Sequence, residues 1–183
     1  MKHEVLGNNL KPPFPNQFKQ IHFGMGCFWG VEKLFWQLKG IWSTAVGYGG
    51  SDFENPTYEL VCSGETGHAE IVKVVYDPEV INLNELFRVF WESHNPTQGM
   101  RQGNDIGSQY RSIVLVSDQN EIKTIKSSKE KVNSILQTKN YSEVTTEIET
   151  LNEFFYAEDY HQQYLLKNPN GYCALKGLDI KFF

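Results

Sequence analysis

The stretch QIHFGMGCFWGVEKLFWQL, residues 20–38, reads as a strand, a tight turn and a helix. Gln20 to Met25 has the apolar content and length of a short strand. From Cys27 to Leu38 the apolar residues Val31, Leu34, Phe35 and Leu38 recur at helical spacing. Cys27 therefore falls at the strand-to-helix turn, with its sulfur near the first unpaired N–H groups of the helix. That position favours the thiolate, the reactive form of cysteine. Gly26 and Gly30 on either side allow a sharp turn and close approach of a second molecule. The competing reading is a small buried cysteine in an aromatic core. The Gly-Cys-aromatic-aromatic-Gly setting favours the reactive one.

Working outward, Ile41 to Tyr48 reads as a second strand, ending at Gly47-Tyr48-Gly49-Gly50. Ser51 to Gly67 is rich in turn residues and reads as a long functional loop with a short helical piece. His68 to Tyr76 is a strand closed by Asp77-Pro78. Leu83, Leu86, Phe87 and Phe90 mark a helix that ends near His94, before Pro96. A second polar loop runs from Pro96 to Tyr110. Ser112 to Val116 is a strand, Gln119 to Leu136 a charged surface helix, Val144 to Glu149 an edge strand and Glu158 to Leu166 a short helix. The order strand, helix, strand, strand, helix, strand predicts an α+β fold with a two-layer, ferredoxin-like core: a mixed sheet with helices, long functional loops and an irregular C-terminal tail. Residues 1–183 form a single catalytic domain on this reading. Residues 1–19, with Pro12, Pro13 and Pro15, are an extended N-terminal arm, and 167–183 are the tail.

The chain has 183 residues, 40% of them hydrophobic and 14% aromatic, enough for one core without disulfide staples. Its net charge is −5 and no basic stripe occurs, which argues against nucleic acid or an anionic membrane as partner. No apolar run approaches the roughly 18 residues of a membrane span, and residues 1–9 lack the apolar core of a signal peptide. Three cysteines, an odd number, point to thiol chemistry in a reducing compartment, the cytoplasm, rather than to a secreted disulfide framework. The histidines at 3, 22, 68, 94 and 161 show no HExxH or CxxC spacing, so no metal site is expected.

A carboxylate and two phenols accompany the thiol. In Thr66-Gly67-His68-Ala69-Glu70, Glu70 shares a strand face with His68, Val72 and Val74. A glutamate there is desolvated, which raises its pKa and suits a general acid. The alternative is a rim glutamate paired with a lysine or held by backbone donors. Tyr58 lies in the first long loop and Tyr110 at the end of the second. A phenol stays protonated near neutral pH and donates to an oxyanion or polar oxygen. Together these groups suit attack on a sulfur or carbon centre with protonation of the attached oxygen. Two other readings use the same residues: a cysteine hydrolase or acyltransferase with Cys27 and His68, and a non-enzymatic peptide-binding module built on the aromatic cluster.

The stretches GMGCFWG (24–30), NPTYELVCSGETGHAE (55–70), NPTQGMRQGNDIGSQYRS (95–112), YAEDYHQQY (156–164) and KNPNGYC (167–173) resemble the peptide methionine sulfoxide reductase A family, in the family's order and over most of the chain. The resemblance implies reduction of methionine S-sulfoxide, free or in peptides and proteins. It matches Cys27 to the nucleophile and Glu70 to the acid that protonates the sulfoxide oxygen. Tyr58 and Tyr110 match the phenols that hold that oxygen, and Phe28 and Trp29 the wall that receives the S-methyl group. Asp105 matches a loop carboxylate that contacts substrate backbone. Cys173 matches the resolving cysteine, which would close a Cys27–Cys173 disulfide. No bound cofactor is implied; the external reductant is thioredoxin, or dithiothreitol in the test tube, and the chain is expected to act as a monomer.

The tail departs from the family pattern. Many members follow Gly-Tyr-Cys with a glycine-rich stretch and a further cysteine, whereas this chain reads ALKGLDIKFF (174–183). A three-cysteine relay is thereby out of reach. Cys62, beside Tyr58, is read as a packed thiol, with a back-up resolving role as the alternative.

Overall fold

A computed structural model describes all of residues 1–183. In chain order the elements are β1 (Lys19–Met25), α1 (Phe28–Trp36), β2 (Ile41–Gly49), α2 (Tyr58–Cys62), β3 (Ala69–Tyr76), α3 (Leu83–Ser93), β4 (Arg101–Gln102), β5 (Asp105–Ile106), β6 (Ser112–Val116), α4 (Gln119–Thr138), β7 (Glu147–Thr150), β8 (Phe155–Tyr156) and α5 (Tyr164–Lys167). Six strands form one sheet in the order β7-β6-β1-β3-β2-β8. Its middle four, β6-β1-β3-β2, with α1 and α3 as the crossovers, are the expected ferredoxin-like core. β7 joins β6 in parallel and β8 joins β2 antiparallel, so the sheet is mixed. β4 and β5 make a separate two-stranded ribbon.

Local chemistry explains the elements. The period-two alternation of β3 places Val72, Val74 and Tyr76 in the main core under the helices, and Ala69 and Ile71 on the opposite face. α3 starts in a capping box: Asn82 accepts from the Glu85 amide and Glu85 from the Asn82 amide, both at 3.0 Å. Aromatic packing joins sheet to helices. The rings of Phe23 on β1 and Phe35 on α1 stack with centroids 4.9 Å apart, and Phe90 of α3 lies 5.2 Å from Phe23. No helix is long and apolar enough to cross a membrane.

The second face of the sheet is covered by loops instead of helices. Leu151 and Phe154 pack on the cluster of Ala69, Ile71, Ile113 and Leu115. Lys73 is buried on this face, its ammonium under the rings of Phe14, Phe154 and Tyr156. Burial, and then the charge of Lys11, bring its pKa down to about 7.

Two segments differ from expectation. The first ten residues are not extended: Lys2 bridges to Asn9, and His3 and Leu10 are buried. His3 Nε2 lies 2.8 Å from Thr44 Oγ1, so a buried polar partner on β2 draws the chain inward. The helix read at Glu158 to Leu166 is only four residues long, Tyr164–Lys167. Gln163 interrupts it with a left-handed backbone (φ 49°), held by the buried carboxylate of Glu32, which accepts from the Gln163 amide at 2.8 Å and from its side chain at 2.7 Å. The preceding turns then wrap over the N-terminal end of α1.

Candidate active site

The turn at Gly26 sets the nucleophile. Gly26 has φ +92°, and a Cβ there would come within 2.7 Å of the Gln102 side chain. Gln102 is buried and exchanges hydrogen bonds with both the N–H and the C=O of Asn95, which fastens the second loop against the turn. Cys27 follows as the N-cap of α1, its side chain making no capping bond.

Glu70 is the neighbour that matters most. It lies on β3 opposite Tyr48 of β2, 2% exposed, and its Oε2 accepts from the Phe28 amide at 3.0 Å. The carboxylate thus takes one of the unpaired amides at the start of α1 that the sequence reading offered to the thiol. Burial lifts the Glu70 pKa to about 8; the Phe28 amide opposes that rise and Asp105 adds to it. The acid is therefore protonated at neutral pH; the backbone donor of the alternative reading is present, but the residue is buried instead of at the rim.

The same environment overturns one expectation. Cys27 sits at a helix N-terminus, yet its pKa is raised, first by burial and then by the Glu70 carboxyl, with Asp105 and Cys173 adding; only the backbone at Trp29 pulls the other way. Desolvation outweighs the N-terminal field, so the resting sulfur is a thiol.

The other predicted residues converge on this pair. Tyr110 closes a 3-10 turn at Ser108–Tyr110, and its raised pKa reflects burial and then the neighbouring Glu70, Cys62 and Cys27. Tyr58 opens α2, and burial, followed by its hydrogen bond with Cys62, keeps its phenol protonated. Phe28 is buried, and Trp29 stacks on Tyr164 with centroids 3.9 Å apart. Asp105, on the β4–β5 ribbon, accepts from the Tyr172 hydroxyl at 2.9 Å. Cys173 is exposed, but its sulfur lies against α1: a Cβ on Gly30 would be 2.9 Å from it. Cys62 is exposed rather than packed, because the five residues of α2 bury only Val61. His68 stands apart, its Nε2 lying 2.8 Å from the Phe53 carbonyl oxygen, so no Cys27–His68 dyad forms. A hollow of about 510 Å³ between α4 and β7 is lined by none of these residues.

Several site residues escaped the sequence reading. Glu158 accepts from the Tyr58 amide at 2.9 Å and from the Tyr48 hydroxyl at 2.8 Å, tying the first loop to the sheet. His161 accepts from Trp29 Nε1 at 3.0 Å, and its ring packs on Phe28, Tyr58 and Tyr160. The only signal for these residues was their place in the stretch YAEDYHQQY, most of which reads as a short helix.

The profile of the family described as "Peptide methionine sulfoxide reductase" matches residues 19–180. The chain belongs to the peptide methionine sulfoxide reductase family. It is 56% identical over 178 residues to the peptide methionine sulfoxide reductase MsrA of Brucella anthropi, covering 97% of this chain and 82% of that one. The MsrA of Rippkaea orientalis shows the same identity and coverage. The solved structure of methionine sulfoxide reductase A of Corynebacterium diphtheriae superposes with a TM-score of 0.88 at 44% identity, covering 93% of this chain and 83% of that one. Mxr1 from Saccharomyces cerevisiae in reduced form gives 0.78 at 36% identity, covering 88% and 91%. As a peptide methionine sulfoxide reductase, the protein is an oxidoreductase that returns methionine sulfoxide to methionine with electrons from thiols.

Proposed function

We propose that Cys27 is the nucleophile and Glu70 the acid in this reduction, on sulfoxides of the S configuration, free or in polypeptides. The observation that carries the assignment is the buried Glu70 carboxyl, raised to about 8 and anchored on the amide next to Cys27. The sulfoxide sulfur is electrophilic and its oxygen basic. Cys27 attacks the sulfur, the Glu70 proton moves to the oxygen and the thiol proton returns to Glu70. Methionine leaves and Cys27 carries the oxygen as a sulfenic acid. Tyr58 and Tyr110 donate hydrogen bonds to the oxygen as it departs. Phe28 and Trp29 receive the S-methyl group, and Asp105 holds substrate backbone.

The Cys173 thiol then condenses with the sulfenic acid, releasing water and leaving a Cys27–Cys173 disulfide. Thioredoxin restores both thiols by disulfide exchange, with dithiothreitol as a small substitute; no bound cofactor enters the cycle. The three free cysteines suit a reducing compartment, the cytoplasm, and we assign the whole chain to one catalytic domain acting as a monomer.

The test uses resolved methionine sulfoxide epimers with thioredoxin as reductant. Wild type should turn over the S epimer, Cys27→Ser should be inactive, and Cys173→Ser should release about one methionine per site and stall, because no thiol clears the sulfenic acid. Cys62→Ser should leave both phases intact. Activity in Cys27→Ser, or a Cys27–Cys62 bond with sustained turnover in Cys173→Ser, would overturn the assignment.

A further inference from the structure

The chain after α5 is irregular, yet it is fastened at three places. Near its start Tyr172 donates to Asp105. Further on, Cys173 Sγ and Leu175 Cβ lie against α1, where a Cβ on Gly30 would be 2.9 and 3.2 Å from them. At its end Phe182 is buried in the main core.

The third fastening centres on one residue, Glu92, in the last turn of α3. Its Oε1 accepts from the Phe182 amide at 3.1 Å, and its Oε2 from Lys181 Nζ at 2.9 Å. Its main chain is engaged as well: Gly177 lies so close that a Cβ there would be 1.9 Å from the Glu92 carbonyl oxygen. A carboxylate near a helix C-terminus meets the unfavourable end of the helix dipole. Here the side chain is 7% exposed, and Arg88 stands 3.6 Å away. Burial raises its pKa, but the hydrogen bonds from Lys181 and Phe182 and the charges of Lys181 and Arg88 outweigh that and hold it below the usual value. A charge kept at such a position, with the tail as its main source of donors, indicates that the contact with the tail is what it serves.

We propose that Glu92 is a positioning residue for the resolving thiol. By clamping residues 177–182 to α3 it holds Cys173 over Gly30, one helical turn along α1 from Cys27. Cys27 caps the same helix three residues before Gly30, so the held thiol needs only a short local movement to reach the sulfenic acid. The inference rests on Cys27 and Cys173 being the redox pair proposed above. The step it concerns is their condensation: the Cys173 thiol loses its proton, its sulfur bonds to Cys27, and the oxygen leaves as water. The clamp changes no bond in that step. It raises the effective concentration of one thiol beside the other.

The experiment is a rapid-quench single turnover of methionine S-sulfoxide without external reductant, on wild type, Glu92→Ala, Glu92→Gln and Gly177→Ala. One readout is released methionine. The other is the Cys27–Cys173 disulfide by peptide mapping, with dimedone trapping the sulfenic acid. The methionine burst should stay within about twofold of wild type in all variants, because the clamp touches no substrate. Disulfide formation should slow by about tenfold or more in Glu92→Ala and Gly177→Ala, with accumulation of the trapped adduct. Glu92→Gln, which still accepts from the Phe182 amide, should fall between. Unchanged or faster disulfide formation would overturn the proposal, as would a parallel loss of both steps, which marks a general structural role. If wild type itself gives no Cys27–Cys173 bond, the redox pair is wrong; if that bond forms and the variants do not affect it, only the clamp is.

Discussion

Replacing Glu70 by glutamine tests the acid through two independent consequences of burial. Gln keeps the shape and still accepts from the Phe28 amide, but it has no proton to give. General acid catalysis contributes roughly 10²–10⁴-fold, so the single-turnover rate of sulfoxide reduction at pH 7 should fall by about that factor. In wild type the reactive pair carries both protons, one on Glu70 and one on Cys27. The rate should therefore hold up to about pH 8, the Glu70 value, and fall above it. The variant should lack that limb. The second consequence is stability. A carboxylic acid whose pKa is higher folded than unfolded binds more protons when folded, so stability declines as pH rises between the two values. For Glu70 those values are 4.5 and about 8. At about 1.4 kcal/mol per pH unit the gap is on the order of 5 kcal/mol. Urea unfolding at pH 5 should find wild type and Glu70→Gln close together, and at pH 8.5 the variant several kcal/mol more stable. Equal stability at both pH values, together with an unchanged rate profile, would refute a buried acid at this site.

The phenols should act as a pair. Each phenol partly replaces the other, so the Tyr58→Phe/Tyr110→Phe double variant should cost more than the sum of the two single variants, read as a double-mutant cycle on kcat/KM for the sulfoxide; full activity in the double variant would show that they only pack. Glu158→Gln weakens the two bonds that tie Tyr58 and Tyr48 together. Hydrogen bonds to a charged group are worth about 1.5–3 kcal/mol each, so the variant should lower kcat/KM by about tenfold, and adding Tyr58→Phe to it should cost little more.

The architecture was largely legible in the sequence, because the forces that select elements act over a few residues. Alternation in the strands, helical spacing at Val31, Leu34 and Phe35, and the spacing of Leu83, Leu86, Phe87 and Phe90 ahead of Pro96 are local patterns. So was the turn before Cys27, set by flanking glycines. The stretch from Glu158 to Leu166 was misread for a reason of the same kind. The helix is confined to Tyr164–Lys167, because Gln163 is drawn into a left-handed backbone by Glu32, 131 residues away in sequence, and no local pattern records such a partner.

By itself, the sequence determined the order of elements, and with it the two-layer core, and it named the thiol, the carboxyl and the two phenols. Tertiary structure decided their states. The helix N-terminus argues for a thiolate at Cys27, yet burial and Glu70, brought across from β3, make it a thiol. Tertiary structure also decided that the tail is fastened to α1 and α3 instead of hanging free, and that Glu158 and His161 belong to the site. Desolvation and docking are properties of the space around a group, and that space is filled by residues far away along the chain.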